Sequence, residues 1–441
     1  MRYVTTHGAA PATSLEWALF DGLAPDGSLY MPETVDRLTA EEIVGLPSRS
    51  LVEIGIRVLR PYTADEISEA TLASIVGEAL NFPIPLVEVE PGVHALELFH
   101  GPTLAFKDIG ARVMARLISA LHDREAPTSV LVATSGDTGS AVGHAFYRVP
   151  HTRVIVIYPD GRVSPRQEAQ LTMFNAVPDT NVRAYAIAGS FDDCHRLTRE
   201  AFGDTELRRR VRLTSANSVN VGRLLPQSVY YFHAVAQVRQ QSGAASAANG
   251  GDVVFSTPSG NFGNLTAGLL AKRAGLPIER FVAATNANDV VPEYLDTGMF
   301  TPRPSVATLA NAMDVGHPSN FERMSWLYRG DVDAMRRDIA GCRFTDDDVR
   351  GTIQRVYEAR GYLLDPHSAI AYMGLKGHKG RAGQAGIFLA TAHPAKFAEI
   401  VEPIVGREVV KPAPLAQALA RPRHIIRIEP SLDAVMGTID G

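Results

Sequence analysis

The sequence predicts an α/β protein built on open parallel sheets, and three observations carry that prediction. Short continuous apolar runs are each followed by a glycine-rich turn and then a helical pattern, in "SVLVATSGDTGSAVGHAFYR", "TRVIVIYPDGRVSPRQEAQLTMF", "DVVFSTPSGNFGNLTAGLLAKRAG" and "AGIFLATAHPAKFAEIV". Uninterrupted apolar strands alternating with helices are the mark of parallel sheets covered on both faces. The chain has 441 residues, 45% hydrophobic and 21% charged, the composition of a soluble globular protein with roughly two to three cores.

Residues 1–92 are expected to form an N-terminal module. The turn region "GLAPDGSLYMPE" is followed by helical stretches such as "ADEISEATLASIVGEAL", and "NFPIPLVEVEPG" is its expected exit. A smaller α/β domain is expected over 93–215 and a larger one over 216–441. The segment "LFHGPTLAFKDIGARVMARLISAL" at 98–121 contains one lysine, Lys107, ahead of a long helical pattern. On a helical wheel Met114, Ile118 and Leu121 fall within about 40° of it, which draws the lysine into the apolar face. Asp108, Arg112, Arg116 and Asp123 gather opposite, and the Asp108-to-Arg112 spacing suits an exposed ion pair on a solvated face. Two readings of Lys107 follow from this placement. Its ammonium reaches water from a helix start, or burial and the helix dipole disfavour the ammonium and leave a nucleophilic amine. The Ala/Gly/Ser patch "QQSGAASAANGG" at 240–251 is expected to be a surface connection between a helix ending near Gln240 and a strand starting at Asp252.

Forty-three basic against 48 acidic residues give a formal charge of −5, which provides no attraction for nucleic acid or an anionic membrane. Two cysteines, Cys194 and Cys342, lie far apart without a CxxC partner, so no disulfide framework is expected and a reducing compartment is. No run approaches the ~20 apolar residues of a membrane span, and the first residues lack a signal-peptide core. Cytoplasmic location is therefore expected. His144, His233, His367 and His393 are scattered without ligand spacing, so no metal site is expected. Cys194 reads as a small buried hydrophobe, and Arg166 and Lys396 as ordinary charges at exposed helix starts.

Two turns suit anions. In "STPSGNFGNLTAG", Ser259 to Asn264 join a strand to a helix, and small residues there let free N–H groups and the helix dipole converge on an anion. The turn is neither a Walker loop nor a dinucleotide fingerprint, so a phosphate on something other than a nucleotide is implied. In "ATSGDTGSAV", Thr134, Ser135 and Thr138 offer hydroxyls that suit a carboxylate. Asp137 would repel one and is expected to cap the helix or face a hydroxyl.

Taken together, "FHGPTLAFKD", "ATSGDTGSA", "SANSVNVGRLLPQ", "TPSGNFGN", "NAMDVGHPSNFER", "DPHSAIAY" and "TAHPAKF" resemble the threonine synthase family, fold-type-II pyridoxal-phosphate enzymes of the tryptophan synthase β kind. The likeness runs over nearly the whole chain. It implies two open parallel-sheet domains with pyridoxal 5'-phosphate between them, plus the N-terminal module. It also implies conversion of O-phospho-L-homoserine and water to L-threonine and phosphate, by a monomer or homodimer. By this resemblance Lys107 is the Schiff-base lysine. Gly260, Asn261, Phe262, Gly263 and Asn264 go to the cofactor phosphate, and Thr391 to the pyridine nitrogen. Ser135, Asp137 and Thr138 go to the substrate carboxylate and the Schiff-base region, and Asn217, Ser218 and Arg223 to the substrate phosphate. Val221 stands where the family usually has an aromatic residue. The rival readings are a serine/threonine dehydratase or β-replacement synthase of the same fold, and a catalytically silent binder of a phosphorylated metabolite.

Overall fold

The protein is described by a computed structural model covering residues 1–123, 125–134, 136–242, 253–378 and 384–440. The apolar runs form strands because both their faces are covered. All six residues of β5 (Thr128–Ala133) and all six of β9 (Val253–Pro258) are buried, as are seven of the eight in β6 (Thr152–Pro159). Two sheets result.

The N-terminal hairpin pairs β1 (Tyr3–Thr5) antiparallel with β2 (Tyr30–Pro32). The larger sheet further contains β3 (Leu86–Glu90), β4 (Val93–Glu97), β10 (Ile278–Thr285), β11 (Ile339–Arg343) and β12 (Ala385–Ala390). Its order is β11-β10-β9-β12-β4-β3, parallel throughout except for the antiparallel edge pair β3 and β4. The smaller sheet adds β7 (Val182–Ile187), β8 (Leu213–Thr214) and β13 (Ile426–Ile428) to β5 and β6. Its order is β13-β7-β6-β5-β8, all parallel.

These sheets cross the expected segment boundaries twice. Residues 86–97, divided between the expected N-terminal module and smaller domain, form an edge of the larger sheet. Nearly all of β4 is buried, and it finds its second partner in β12 almost 300 positions on. Near the other end of the chain, β13 pairs with β7 of the smaller sheet. The Ala/Gly/Ser patch lies mostly outside the described residues; the helix before it runs Ser228–Ser242.

Helix Lys107–Ala120 begins at the lysine singled out from the sequence. Its other face, however, is solvated only toward its far end, where Arg116 and Asp123 reach the surface. Asp108 is fully buried and accepts hydrogen bonds from Thr103 N (2.8 Å) and Thr103 Oγ1 (2.7 Å). Arg112 donates to the carbonyls of Ala79 (2.8 Å) and Glu78 (2.6 Å), which end helix Glu69–Ala79. The expected exposed ion pair is thus replaced by two caps, because the N-terminal module covers a face that the wheel leaves open. Burial pushes the Asp108 carboxyl up to about 6 against the Thr103 hydrogen bonds.

The N-terminal module is fixed to the rest by buried polar bonds as well as by apolar packing. Arg323, with no exposure, donates to the carbonyls of Tyr30, Ser218 and Val219 and to Asn320 Oδ1. Asn220 Nδ2 donates to Leu19 O at 2.8 Å. A buried guanidinium with every face engaged is costly to disturb, so these bonds hold the 217–220 segment in one place.

Candidate active site

One cavity of about 1770 Å³ lies where the carboxyl ends of β5, β9 and β12 converge. Such a position is where open α/β sheets bind ligands. Lys107, Asp137, Thr138, Asn217, Ser218, Arg223, Gly260, Asn261, Phe262, Gly263, Asn264 and Thr391 all line it. Ser135 lies outside the described residues.

Lys107 owes its place to backbone pairing. Phe106 N donates to Thr391 O (2.9 Å) and His393 N to Leu104 O (3.0 Å), around an antiparallel bridge between Ala105 and Ala392. Leu104 takes a left-handed φ of 58° to make this turn. The lysine and Thr391 therefore reach the cavity from two segments that are hydrogen-bonded to each other. Burial draws the Lys107 amine down to about 8; the Asp137 carboxylate opposes this, and the Lys396 and Arg223 cations add to it. Desolvation wins, as the second sequence reading required.

The 259–264 turn is shaped by two constraints. Phe262, not a glycine, takes the left-handed conformation (φ 60°) as it caps helix Gly263–Arg273. A Cβ on Gly260 would stand 2.6 Å from Met313 Cα, so only glycine fits. The N–H groups of Gly260, Asn261 and Phe262 have no acceptor among the described residues, and those of Gly263 and Asn264 belong to a helix first turn, which leaves them free. The Asn261 side chain is engaged elsewhere. It donates to Ser218 Oγ and accepts from Ser319 N, both at 2.5 Å. A phosphate would thus be held by backbone N–H groups and the helix dipole. The nearby Thr391 hydroxyl has no partner among the described residues and can meet a ring nitrogen without supplying charge. These groups fit the phosphate and pyridine ends of pyridoxal phosphate.

Arg223 also lines the cavity and is only 4% exposed. Its Nη1 donates to Ala216 O at 2.5 Å, whereas its Nε is buried with no partner. Burial lowers its pKa to about 10 while Asp108 resists. Gly110 of the Lys107 helix permits this packing, since a Cβ there would meet Arg223 O at 2.6 Å. Val221 is fully buried in the same short helix, Val221–Leu224, and Gly222 presses on Leu19.

Two residues read as ordinary from the sequence belong to the site. Lys396 is not at an exposed helix start. It is 1% exposed, with Nζ 2.7 Å from Asp137 Oδ1 and 3.0 Å from Thr103 O. Burial would raise the Asp137 carboxyl, but Lys396 and then Lys107 outweigh it and hold it well below the usual range. His367 lines the cavity, accepts from Ala312 N at Nε2 (3.3 Å) and donates from Nδ1 to Asp365 (2.6 Å). That donor fixes its tautomer and ties the 311–313 turn to the larger sheet. The only sequence signal for either was position, next to "TAHP" and within "DPHSAIAY". Arg166 donates to Ala395 O and so braces the turn carrying Lys396.

The arrangement brings the Lys107 amine, the free N–H groups of 260–264 and the Arg223 guanidinium to one cavity, groups that would suit a phosphate-bearing cofactor able to form a Schiff base. Comparison with known proteins agrees. The family described as "Pyridoxal-phosphate dependent enzyme" matches residues 81–392, "Threonine synthase N terminus" matches 2–80, and "Threonine synthase, C-terminal" matches 368–439. Threonine synthase from Haemophilus influenzae is 45% identical over 399 residues, 90% of each chain. The crystal structure of threonine synthase from Escherichia coli superposes with a TM-score of 0.91 at 39% identity, covering 100% of this chain and 99% of that one. The pyridoxal-phosphate-bound threonine synthase from Brucella melitensis gives 0.91 at 37% identity, covering 100% and 98%. With residues 2–439 matched by these three descriptions and the site built to fit the cofactor, the chain belongs to the threonine synthase family of pyridoxal-phosphate dependent enzymes.

Proposed function

We propose that the protein converts O-phospho-L-homoserine and water to L-threonine and inorganic phosphate. What supports this reading is a single cavity lined both by the backbone turn at 260–264, with its free N–H groups, and by the guanidinium of Arg223. They are linked by the Asn261–Ser218 hydrogen bond. An enzyme acting on an unphosphorylated amino acid needs only the first.

Pyridoxal phosphate, when bound, supplies the electron sink that lets carbon–hydrogen bonds of an amino acid break. The residues of this chain do the rest. Lys107 carries the cofactor at rest, and its amine, already poised near neutrality, holds and returns the protons that leave the substrate carbons. The N–H groups of 260–264 would hold the cofactor phosphate, and the Thr391 hydroxyl would serve the pyridine nitrogen as a neutral partner. Thr138, in the first turn of helix Asp137–Phe146, takes the substrate carboxylate. Asp137 does not, because its own charge is committed to Lys396 and Lys107. Arg223, with Asn217 and Ser218, holds the γ-phosphate and stabilises the charge that builds as the C–O bond breaks. Water then adds at the β-carbon while the γ-carbon becomes the methyl group.

Phosphate and threonine measured together from phosphohomoserine should appear one to one. If phosphohomoserine is left unconverted while threonine yields 2-oxobutanoate and ammonia, the dehydratase reading holds instead; retained cofactor without any product indicates a silent binder. No helix among the described residues is long and apolar enough to cross a membrane. We place the protein in the cytoplasm, as a monomer or homodimer, with Cys194 and Cys342 as free thiols.

A further inference from the structure

We infer that Lys396 is a positioning residue: it pairs with Asp137 in the wall of the cavity that Lys107 lines, so that no unbalanced carboxylate faces the amine that carries the cofactor. The inference rests on the proposed role of Lys107 as the lysine carrying the cofactor.

The geometry is that of a buried ion pair built into the site. Lys396 Nζ lies 2.7 Å from Asp137 Oδ1 and donates to Thr103 O at 3.0 Å, and the two side chains are 1% and 4% exposed. Gln167 Nε2 adds a donor to the same Asp137 oxygen at 3.3 Å. Thr103 lies in the turn that leads into the Lys107 helix and also holds Asp108. One ammonium thus connects the approach to Lys107, the N-terminus of helix Asp137–Phe146, and the turn that follows Thr391. Buried pairs of this kind are poor devices for stability, because desolvation consumes most of the Coulomb attraction. Their retention beside a reacting amine calls for a reason in the chemistry.

That reason is charge balance. Asp137 and Lys107 line the same cavity, and a lone carboxylate there would hold Lys107 as an ammonium, which neither forms nor releases a Schiff base readily. Lys396 cancels that carboxylate without entering the cavity lining itself. The other ionisable side chains near these groups are Arg223 for Lys107, His367 for Asp137, and Asp108, His144 and His393 for Lys396.

The test uses the holoenzyme and the pH midpoint of its visible absorbance, which reports the protonation of the Lys107–cofactor linkage and needs no turnover. Lys396→Met leaves Asp137 unbalanced and should move the midpoint up by at least about one unit. Asp137→Asn leaves Lys396 unbalanced and should move it down. The double variant restores neutrality and should return near the parent, and Lys396→Arg should stay near it. A structural brace predicts no such opposite signs. Shifts in the same direction, no shift in either single variant, or a double variant that stays as far from the parent as either single variant would overturn the inference. If neither single variant folds but the double variant does, mutual neutralisation is supported; if all three fail to fold, Lys396 is structural and the inference fails. Borohydride reduction with mapping of the modified lysine tests the role of Lys107 separately. Modification elsewhere would fail the parent reading rather than this one.

Discussion

At the scale of single residues, Lys107 and Arg223 are held in unlike ways and should respond unlike each other. Lys107→Ala should abolish turnover and the borohydride-trappable linkage while the chain stays folded. It should also change the pH dependence of apoprotein stability in a defined direction. The folded-state pKa of Lys107, about 8, lies below its ordinary value of 10.5, so between those limits the unfolded chain binds more protons. The parent apoprotein should therefore gain stability relative to Lys107→Ala as pH rises from about 8 to 10.5, and lose it as pH falls through 8. Parallel urea-derived stability profiles for the two proteins would show that the amine is not desolvated. Arg223→Leu should leave cofactor binding intact, since the cofactor phosphate is assigned to the 260–264 cradle. Losing a charge-assisted partner costs about 1.5–3 kcal/mol, or roughly ten- to a hundredfold in kcat/KM for phosphohomoserine. Slow side reactions on serine should be little affected; equal losses on both substrates would make Arg223 structural.

At the scale of elements, the site depends on how closely neighbouring segments approach. Gly110 sits inside the Lys107 helix, where alanine would ordinarily be favoured by about 0.5–1 kcal/mol. A Cβ at that position would lie 2.6 Å from Arg223 O, which is backbone and cannot swing away. Overpacking of this kind costs about 1–3 kcal/mol, so the steric term wins. Gly110→Ala should lower Tm and raise KM for the phosphorylated substrate through displacement of Arg223. An unchanged or higher Tm would mean that the two helices part without penalty. The helix start at Lys107 and the strand-to-helix turn at 259–264 were legible from sequence because both obey short-range rules: the 3.6-residue period, and small residues where backbone must curl. Asp108 was not, because its side chain is buried by Thr103 and the N-terminal module rather than by anything on its own helix.

Over the whole molecule, residues remote from the cavity complete its walls. Val435 and Ile439, in the last helix, are almost fully buried against Leu131 and Ile155 of the smaller sheet, and Arg153 donates to Ile439 O at 2.8 Å. Removing residues 421–441 should expose that face and β7, which loses β13. Amide hydrogen exchange should then accelerate across 128–133, the strand that leads to Asp137, and across its neighbour 152–159; unchanged protection there would make the C-terminal segment dispensable to the sheet. The sequence alone determined the alternation of parallel strands and helices and the turns at their carboxyl ends, since each is encoded within a few consecutive residues; the roles expected of Lys107, the 260–264 turn and Thr391 rested on the resemblance of motifs spread along the whole chain. Only the tertiary structure decided that β4 joins β12 and β13 joins β7, that Arg323 locks the N-terminal module to the 217–220 segment, and that Lys396 neutralises rather than solvates its surroundings. Burial and charge pairing depend on what folds over a residue from hundreds of positions away, and no local period records that.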